Sequence, residues 1–220
     1  MISLIIPTLN EEQNLRTLLG EPEMFADCEV IVMDGGSVDG TGDVARQAGA
    51  DLYVTSLGRG GQLALGAEKT TGDWLLFLHA DCRLPLDWRP VLDRHRTQNP
   101  DKALVFSLRL DDDSLMARLL EAIVRWRCRL LALPYGDQGL FISRTLYDQV
   151  GGFSSMVLME DVDLVRRLGR KRIVFSSAVL TTSAIRYQKN GYFRRMMRNA
   201  LCLTLYFLGM PLERIKKLYG

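Results

Sequence analysis

Ile2-Ser3-Leu4-Ile5-Ile6, Val30-Ile31-Val32-Met33 and Trp74-Leu75-Leu76-Phe77-Leu78 are apolar almost without interruption. Such runs cannot offer one face to water, so they read as strands buried on both faces, the condition of a parallel sheet covered by helices. Each run stops at polar side chains: Asn10-Glu11-Glu12 after Pro7-Thr8-Leu9, Asp34-Gly35-Gly36-Ser37 with Asp39 just beyond, and His79-Ala80-Asp81. Together with Glu160-Asp161 these make four acidic clusters at the ends of strand-like runs. In open α/β sheets ligands bind beyond the carboxyl ends of the strands, so carboxylates at that rim suit a metal ion and a diphosphate.

Helical patterns separate the runs. Asn10 is a good helix N-cap, with Glu11, Glu12 and Gln13 in the first turn and Leu15, Leu18 and Leu19 on one face. Asp39-Gly40-Thr41 opens a second helix through Val44, Ala45 and Ala48, Asp51 to Val54 reads as a strand, and Gln62 to Lys69 as a third helix. This alternation predicts a doubly wound sheet. Beyond Asp81 the order becomes mixed: a helix near Asp87 to Arg96, a strand at Ala103 to Leu110, a long helix from Ser114 to Leu133, a strand at Gln138 to Ile142, a helix near Thr145 to Val150, a helix opened by Glu160-Asp161, a strand at Arg172 to Phe175 and a last helix from Gly191 to Leu208.

At 220 residues, with no repeat, low-complexity tract or linker, the chain reads as one domain, residues 1–220. Lys+Arg 28 against Asp+Glu 26 leaves a net charge of +2, which speaks against nucleic acid as a partner. Cys28, Cys82, Cys128 and Cys202 are scattered without a Cys-x-x-Cys pair, which suits a reducing, cytoplasmic setting and no zinc site. Met1 to Ile6 already belong to a strand, so no signal peptide is expected, and no apolar stretch reaches the roughly 20 residues of a membrane span.

Six blocks, in order, resemble the family-2 glycosyltransferases: Pro7-Thr8-Leu9-Asn10-Glu11, Asp34-Gly35-Gly36-Ser37-Val38-Asp39-Gly40-Thr41, Gly58-Arg59-Gly60-Gly61-Gln62, His79-Ala80-Asp81, Gly151-Gly152-Phe153 and Glu160-Asp161-Val162-Asp163-Leu164. The resemblance implies the GT-A nucleotide-diphospho-sugar transferase fold, a Rossmann-like mixed central sheet flanked by helices. Residues 1–110 would be its nucleotide-sugar-binding half, and 111–220 an acceptor-side half with C-terminal helices. It also implies transfer of a sugar, with inversion, from a nucleotide-diphospho-sugar donor, UDP-linked by expectation, to a hydroxyl acceptor that is a small molecule or lipid-linked. His79-Ala80-Asp81 and Tyr135-Gly136-Asp137-Gln138-Gly139 further resemble a small bacterial subgroup associated with arsenosugar biosynthesis.

In the resembled family the positions of Pro7, Asn10, Glu11, Asp34 and Asp39 line the nucleoside pocket. Asp34 can accept from a base or ribose, and no cap role explains a carboxylate there, whereas Asp39-Gly40-Thr41 equally suits a turn and helix cap. Gly58-Arg59-Gly60-Gly61 reads as a flexible loop whose amides and Arg59 meet phosphate oxygens, or as a plain surface loop. Asp81 matches the metal ligand, for Mg or Mn, and His79 stands where most of the family has the first Asp of Asp-x-Asp; it faces a ligand or is a satisfied strand-end histidine. Asp161 matches the catalytic base, with Glu160 in support; acids in a helix's first turn also simply complement its dipole. Asp137 and Gln138 are acceptor-side candidates, or part of a hairpin turn. Of Arg186, Arg194 and Arg195, one arginine is a candidate for the diphosphate.

The helix Ser114–Leu133 mixes Arg118, Arg125, Arg127 and Arg129 with apolar residues. It either rests on the inner face of a membrane, peripherally, or packs on the domain or on a second copy in a homodimer. A nucleotidylyltransferase would need an Arg- and Lys-bearing glycine loop after the first strand, and an NAD-dependent oxidoreductase Gly-x-Gly-x-x-Gly; neither is present. The histidine at the first metal-motif position leaves a degenerate nucleotide-sugar-binding or scaffold protein as the non-enzyme alternative.

Overall fold

The computed structural model describes residues 1–219. In chain order its elements are β1 (Ile2–Thr8), α1 (Glu12–Leu18), β2 (Cys28–Asp34), α2 (Thr41–Gln47), β3 (Asp51–Val54), α3 (Gly58–Lys69), β4 (Trp74–Phe77), β5 (Cys82–Arg83), α4 (Trp88–Gln98), β6 (Ala103–Leu110), α5 (Leu115–Leu131), β7 (Leu140–Ser143), α6 (Arg144–Gln149), α7 (Glu160–Leu168), β8 (Ile173–Thr182), α8 (Ile185–Asn190), α9 (Tyr192–Phe207) and α10 (Leu212–Tyr219). The strands form one eight-stranded sheet in the order β3-β2-β1-β4-β7-β6-β8-β5. β3, β2, β1 and β4 are parallel, β7 runs against both β4 and β6, and β8 returns parallel to β6.

Period-two alternation divides the core into two layers. Ile5, Ile31, Met33, Leu75, Phe77 and Val105 point to one face, where α3, α6, α7, α9 and α10 cover them. Leu4, Ile6, Val32, Leu76, Leu78 and Phe106 point to the other, under α1, α2 and α4. Both faces are therefore buried, as the uninterrupted apolar runs require. A third, smaller cluster lies between β6 and α5.

Several local expectations are corrected. Asn10 is not a helix N-cap: it sits at φ 55°, α1 begins at Glu12, and the Asn10 Oδ1 instead accepts from the Val38 N–H at 2.9 Å. Gly58 to Gly61 are the first turn of α3 rather than a flexible loop. The reason is close packing, since a Cβ at Gly60 would stand within 2.9 Å of the Ser154 and Met156 backbone. β8 continues seven residues past Phe175, to Thr182; a register shift against Val105 and Ser107 admits the polar Ser176-Ser177 that ends the apolar pattern. Glu160-Asp161 follow no strand and reach the rim at the N-terminus of α7. Residues 136–138 form a 3-10 turn in place of a hairpin.

Candidate active site

The loops after β1 and β2 lock together. The Glu11 N–H donates to Thr41 Oγ1 at 2.9 Å, the Glu12 N–H to Asp39 Oδ2 at 3.2 Å, and the Gly40 N–H to Glu12 Oε2 at 3.2 Å. Asp39 Oδ1 accepts from the Thr41 N–H at 3.0 Å, so Asp39 both opens α2 and braces the neighbouring loop. The Thr41 hydroxyl that bonds it holds its carboxyl below the ordinary range. Asp34 does have a local role, contrary to expectation: its Oδ2 accepts from the Ser37 N–H at 2.9 Å and its Oδ1 from Thr8 Oγ1 at 3.1 Å, with the residue 4% exposed. Pro7 is buried in β1. From α3, the buried Gln62 Nε2 donates to the Thr8 carbonyl at 3.0 Å and the Met33 carbonyl at 2.8 Å, pinning both strand ends.

Beside this braced rim opens a solvent-facing cleft lined by charged and polar side chains. Arg59 from α3, His79 and Asp81 after β4, Asp137 from the 3-10 turn, Asp161 from α7 and Arg186 from α8 all line it. Pro7, Asn10, Asp34 and Asp39 do not; Glu11 is tied to the cleft because its Oε1 accepts from Arg186 Nη2 at 2.8 Å.

Asp161 is held at both oxygens. Its Oδ2 accepts from the Gly136 N–H at 2.8 Å and its Oδ1 from the Val162 N–H at 2.7 Å. Gly136 in turn lies against His79, where a Cβ would stand 2.7 Å from Nε2. The His79 ring finds no hydrogen-bond partner among the described residues, and burial, followed by the Arg59 and Arg186 charges, pushes its pKa down to about 3. A neutral imidazole therefore faces the cleft. Burial raises the Asp81 carboxyl, which Arg186 pulls down and Glu11 pushes up. Burial likewise takes Asp137 to about 6.

Glu160 and Gln138 fall elsewhere than expected. Glu160 is 1% exposed, pairs with Arg59 Nε and borders an apolar cavity behind Asp161, not the cleft. Burial raises its carboxyl. Gln138 is not an acceptor contact: it is 3% exposed, its Nε2 donates to the Phe106 carbonyl at 3.1 Å, and its Oε1 accepts from Arg127 Nη2 and Cys128 Sγ, both at 3.3 Å.

Residues that sequence reasoning did not single out also line the cleft: Thr182 and Ser183 at the end of β8, Asn199 of α9 and Tyr219 of α10. A longer β8 was the available signal for the first two. Asp137 Oδ1, Arg195 Nε and Asn199 Oδ1 are buried without a hydrogen-bond partner among the described residues, and all three residues line the cleft. Buried polar atoms are normally paired, so a polar ligand is the natural complement of these three. Among the described residues no group of three or more His, Cys, Asp or Glu side chains is placed to hold a metal by itself.

The sequence profile described as Glycosyl transferase family 2 matches residues 3–156. A 4,4'-diaponeurosporenoate glycosyltransferase of Staphylococcus haemolyticus is 39% identical over 94 residues, which are 38% of this chain and 24% of that protein. An uncharacterized glycosyltransferase of Rickettsia typhi is 27% identical over 175 residues, 76% of this chain and 56% of its own. The chain thus spans between a quarter and little more than half of these relatives. Among solved structures, the mannosyltransferase PcManGT of Pyrobaculum calidifontis, in complex with GDP-Man and Mn2+, superposes with a TM-score of 0.70 at 19% identity, over 91% of this chain and 61% of that one. S. aureus TarS in complex with UDP-GlcNAc gives 0.64 at 17% identity, over 83% and 58%.

Proposed function

Since the chain belongs to glycosyltransferase family 2 and has the GT-A fold, we propose that it transfers a sugar from a nucleotide-diphospho-sugar donor, UDP-linked, to a hydroxyl acceptor. The observation that carries this reading is the cleft itself. There an Asp161 carboxylate oriented by two backbone amides lies with the Asp81 and Asp137 carboxylates and the guanidinium groups of Arg59, Arg186 and Arg195. Guanidinium groups are the fitting partners of a diphosphate, and Glu160 holds Arg59 at the cleft from behind.

The donor set suits a hard divalent cation, Mg or Mn: Asp81 and Asp137 offer carboxylate oxygens, and Asp137 Oδ1 has no partner among the described residues. With fewer than three such side chains together, the remaining ligands would be diphosphate oxygens and water. When bound, the ion neutralises charge that develops on the leaving diphosphate. Asp161 takes the proton of the acceptor hydroxyl as its oxygen bonds to the anomeric carbon and the bond from that carbon to the diphosphate breaks. Attack opposite the leaving group inverts the configuration. The neutral His79, on the donor side, presents a ring nitrogen to the ribose or sugar. The arsenosugar-associated subgroup that the motifs resemble directs the search for an acceptor to small molecules.

The experiment is a calorimetric titration of UDP and GDP with and without Mn, on the wild type and Asp81→Asn. UDP binding that strengthens with Mn and loses that gain in the variant is the expected result. If neither nucleotide binds, the degenerate scaffold reading takes its place.

A further inference from the structure

Helix α5 has two apolar faces. Ala117, Leu120, Val124 and Cys128 are buried against the cluster that includes Leu108 and Leu110 of β6. Leu119, Ile123, Trp126 and Leu130 form a second stripe, at helical spacing, that is left open, with Trp126 61% and Leu130 65% exposed. Helix α9 packs beside α5 through Tyr192 and Met196. It repeats the pattern with Phe193, Met197, Leu201 and Leu208, of which Phe193 is 69% exposed. Single exposed apolar side chains are ordinary, but two stripes on neighbouring helices mark a surface that meets something apolar.

Charge identifies the partner. On the open side of the two helices stand the exposed Arg125 and Arg129 of α5 and Arg194 of α9, while Arg127, Arg195 and Arg198 turn inward onto Tyr135, Tyr187 and Tyr219; the single acid of the two helices, Glu121, is buried and paired with Arg118. At the far end of α5, Arg170 Nη1 donates to the Leu130 carbonyl at 3.1 Å, which brings the exposed run Arg170-Lys171-Arg172 beside the stripe. The acids before α5 are engaged: Asp111 accepts from the Ala184 N–H, Asp112 from Gln188 and Tyr192, and Asp113 pairs with Arg109 and Arg118.

We propose that the α5–α9 face docks on an anionic lipid surface, its apolar stripes entering the headgroup boundary while the arginines meet lipid phosphates. A second copy of the chain is the poorer occupant, because a two-fold contact through this face would set one arginine rim against another. No helix among the described residues is long and apolar enough to cross a membrane, so the contact is peripheral. Arg195 and Asn199, on the opposite side of α9, line the cleft, which places the cleft about 10 Å, one helix diameter, from the docked surface. Docking is independent of sugar transfer, so vesicle binding and nucleotide titration succeed or fail separately.

The test is co-sedimentation of the whole chain with vesicles of phosphatidylcholine alone and of phosphatidylcholine with phosphatidylglycerol, at low and high salt, with tryptophan fluorescence read in parallel. The expected result is binding to the anionic vesicles only, weakened by salt, with a blue shift from Trp126. Trp126→Ser combined with Leu130→Ser abolishes both signals. Arg125→Glu combined with Arg129→Glu lowers the partition by roughly fivefold or more per arginine. Both pairs are exposed, so each variant keeps the wild-type melting temperature and nucleotide affinity. Equal binding to both kinds of vesicle, or to neither, overturns the proposal. So does a stable dimer in solution that the Trp126 and Leu130 pair of substitutions dissociates.

Discussion

Asp161 has its two oxygens fixed by amides from different segments, Val162 beside it and Gly136 from the 3-10 turn. Replacement by the amide removes the proton affinity and keeps only one of these two bonds, because the NH2 group cannot accept from a backbone N–H. Asp161→Asn is therefore expected to lower transfer by about 10²–10⁴-fold while donor binding, followed by calorimetry, stays unchanged; unaltered transfer would remove Asp161 from the role. Asp81, His79, Arg59, Asp137 and Asp161 were all legible from sequence as candidates, because short-range structure delivers each to the rim: a strand end, a turn or a helix start. The local bond of Asp34 was overlooked and the long-range partner of Gln138 was hidden. The partner of Asp34 is an amide three residues on, at Ser37, and that of Gln138 is a carbonyl 32 residues away, at Phe106.

At the scale of elements, the junction of α5, α8 and α9 turns on Asp112, which accepts from Tyr192 Oη at 2.6 Å, the Ser114 N–H at 2.8 Å and Gln188 Nε2 at 3.1 Å. These bonds, the Tyr192 bond first, hold its carboxyl well below the ordinary carboxylate range in the folded chain. A depressed carboxyl stabilises the fold above its unfolded pKa of about 4 and loses that contribution as the pH falls toward the folded value. Asp112→Asn should accordingly melt below the wild type at pH 7, with the gap narrowing as the pH is lowered beneath about 4. A gap that is constant with pH would show that the ionised carboxylate is not what ties these helices. The helix after Asp112 was readable from its apolar period, as were β1, β3 and β6. β5 is only two residues long and α8 has little periodicity of its own, so their positions depend on the surfaces they cover, whereas α10 sets Leu212, Ile215 and Tyr219 against the core at helical spacing, a pattern that sequence reasoning passed over.

In the whole molecule, β7 and β8 from the second half interleave with β4 and β6 from the first, so residues 1–110 and 111–220 share one sheet and cannot part without breaking strand pairs. Calorimetric melting should show one cooperative transition, and two separated transitions would establish independent halves. The residue types and their order by themselves determined that apolar runs would be buried as strands, that helices would cover both faces, and that carboxylates would lie at the ends of those strands. Local preferences and periodicity suffice for that, because they act over a few residues. Tertiary structure alone decided which polar groups would be spent on the fold and which left facing the cleft. It also set Glu160 behind Arg59 and left the outer stripes of α5 and α9 uncovered. Those outcomes depend on which distant backbone amides, carbonyls and apolar surfaces come within a few ångströms, and one-dimensional order carries no record of such distances.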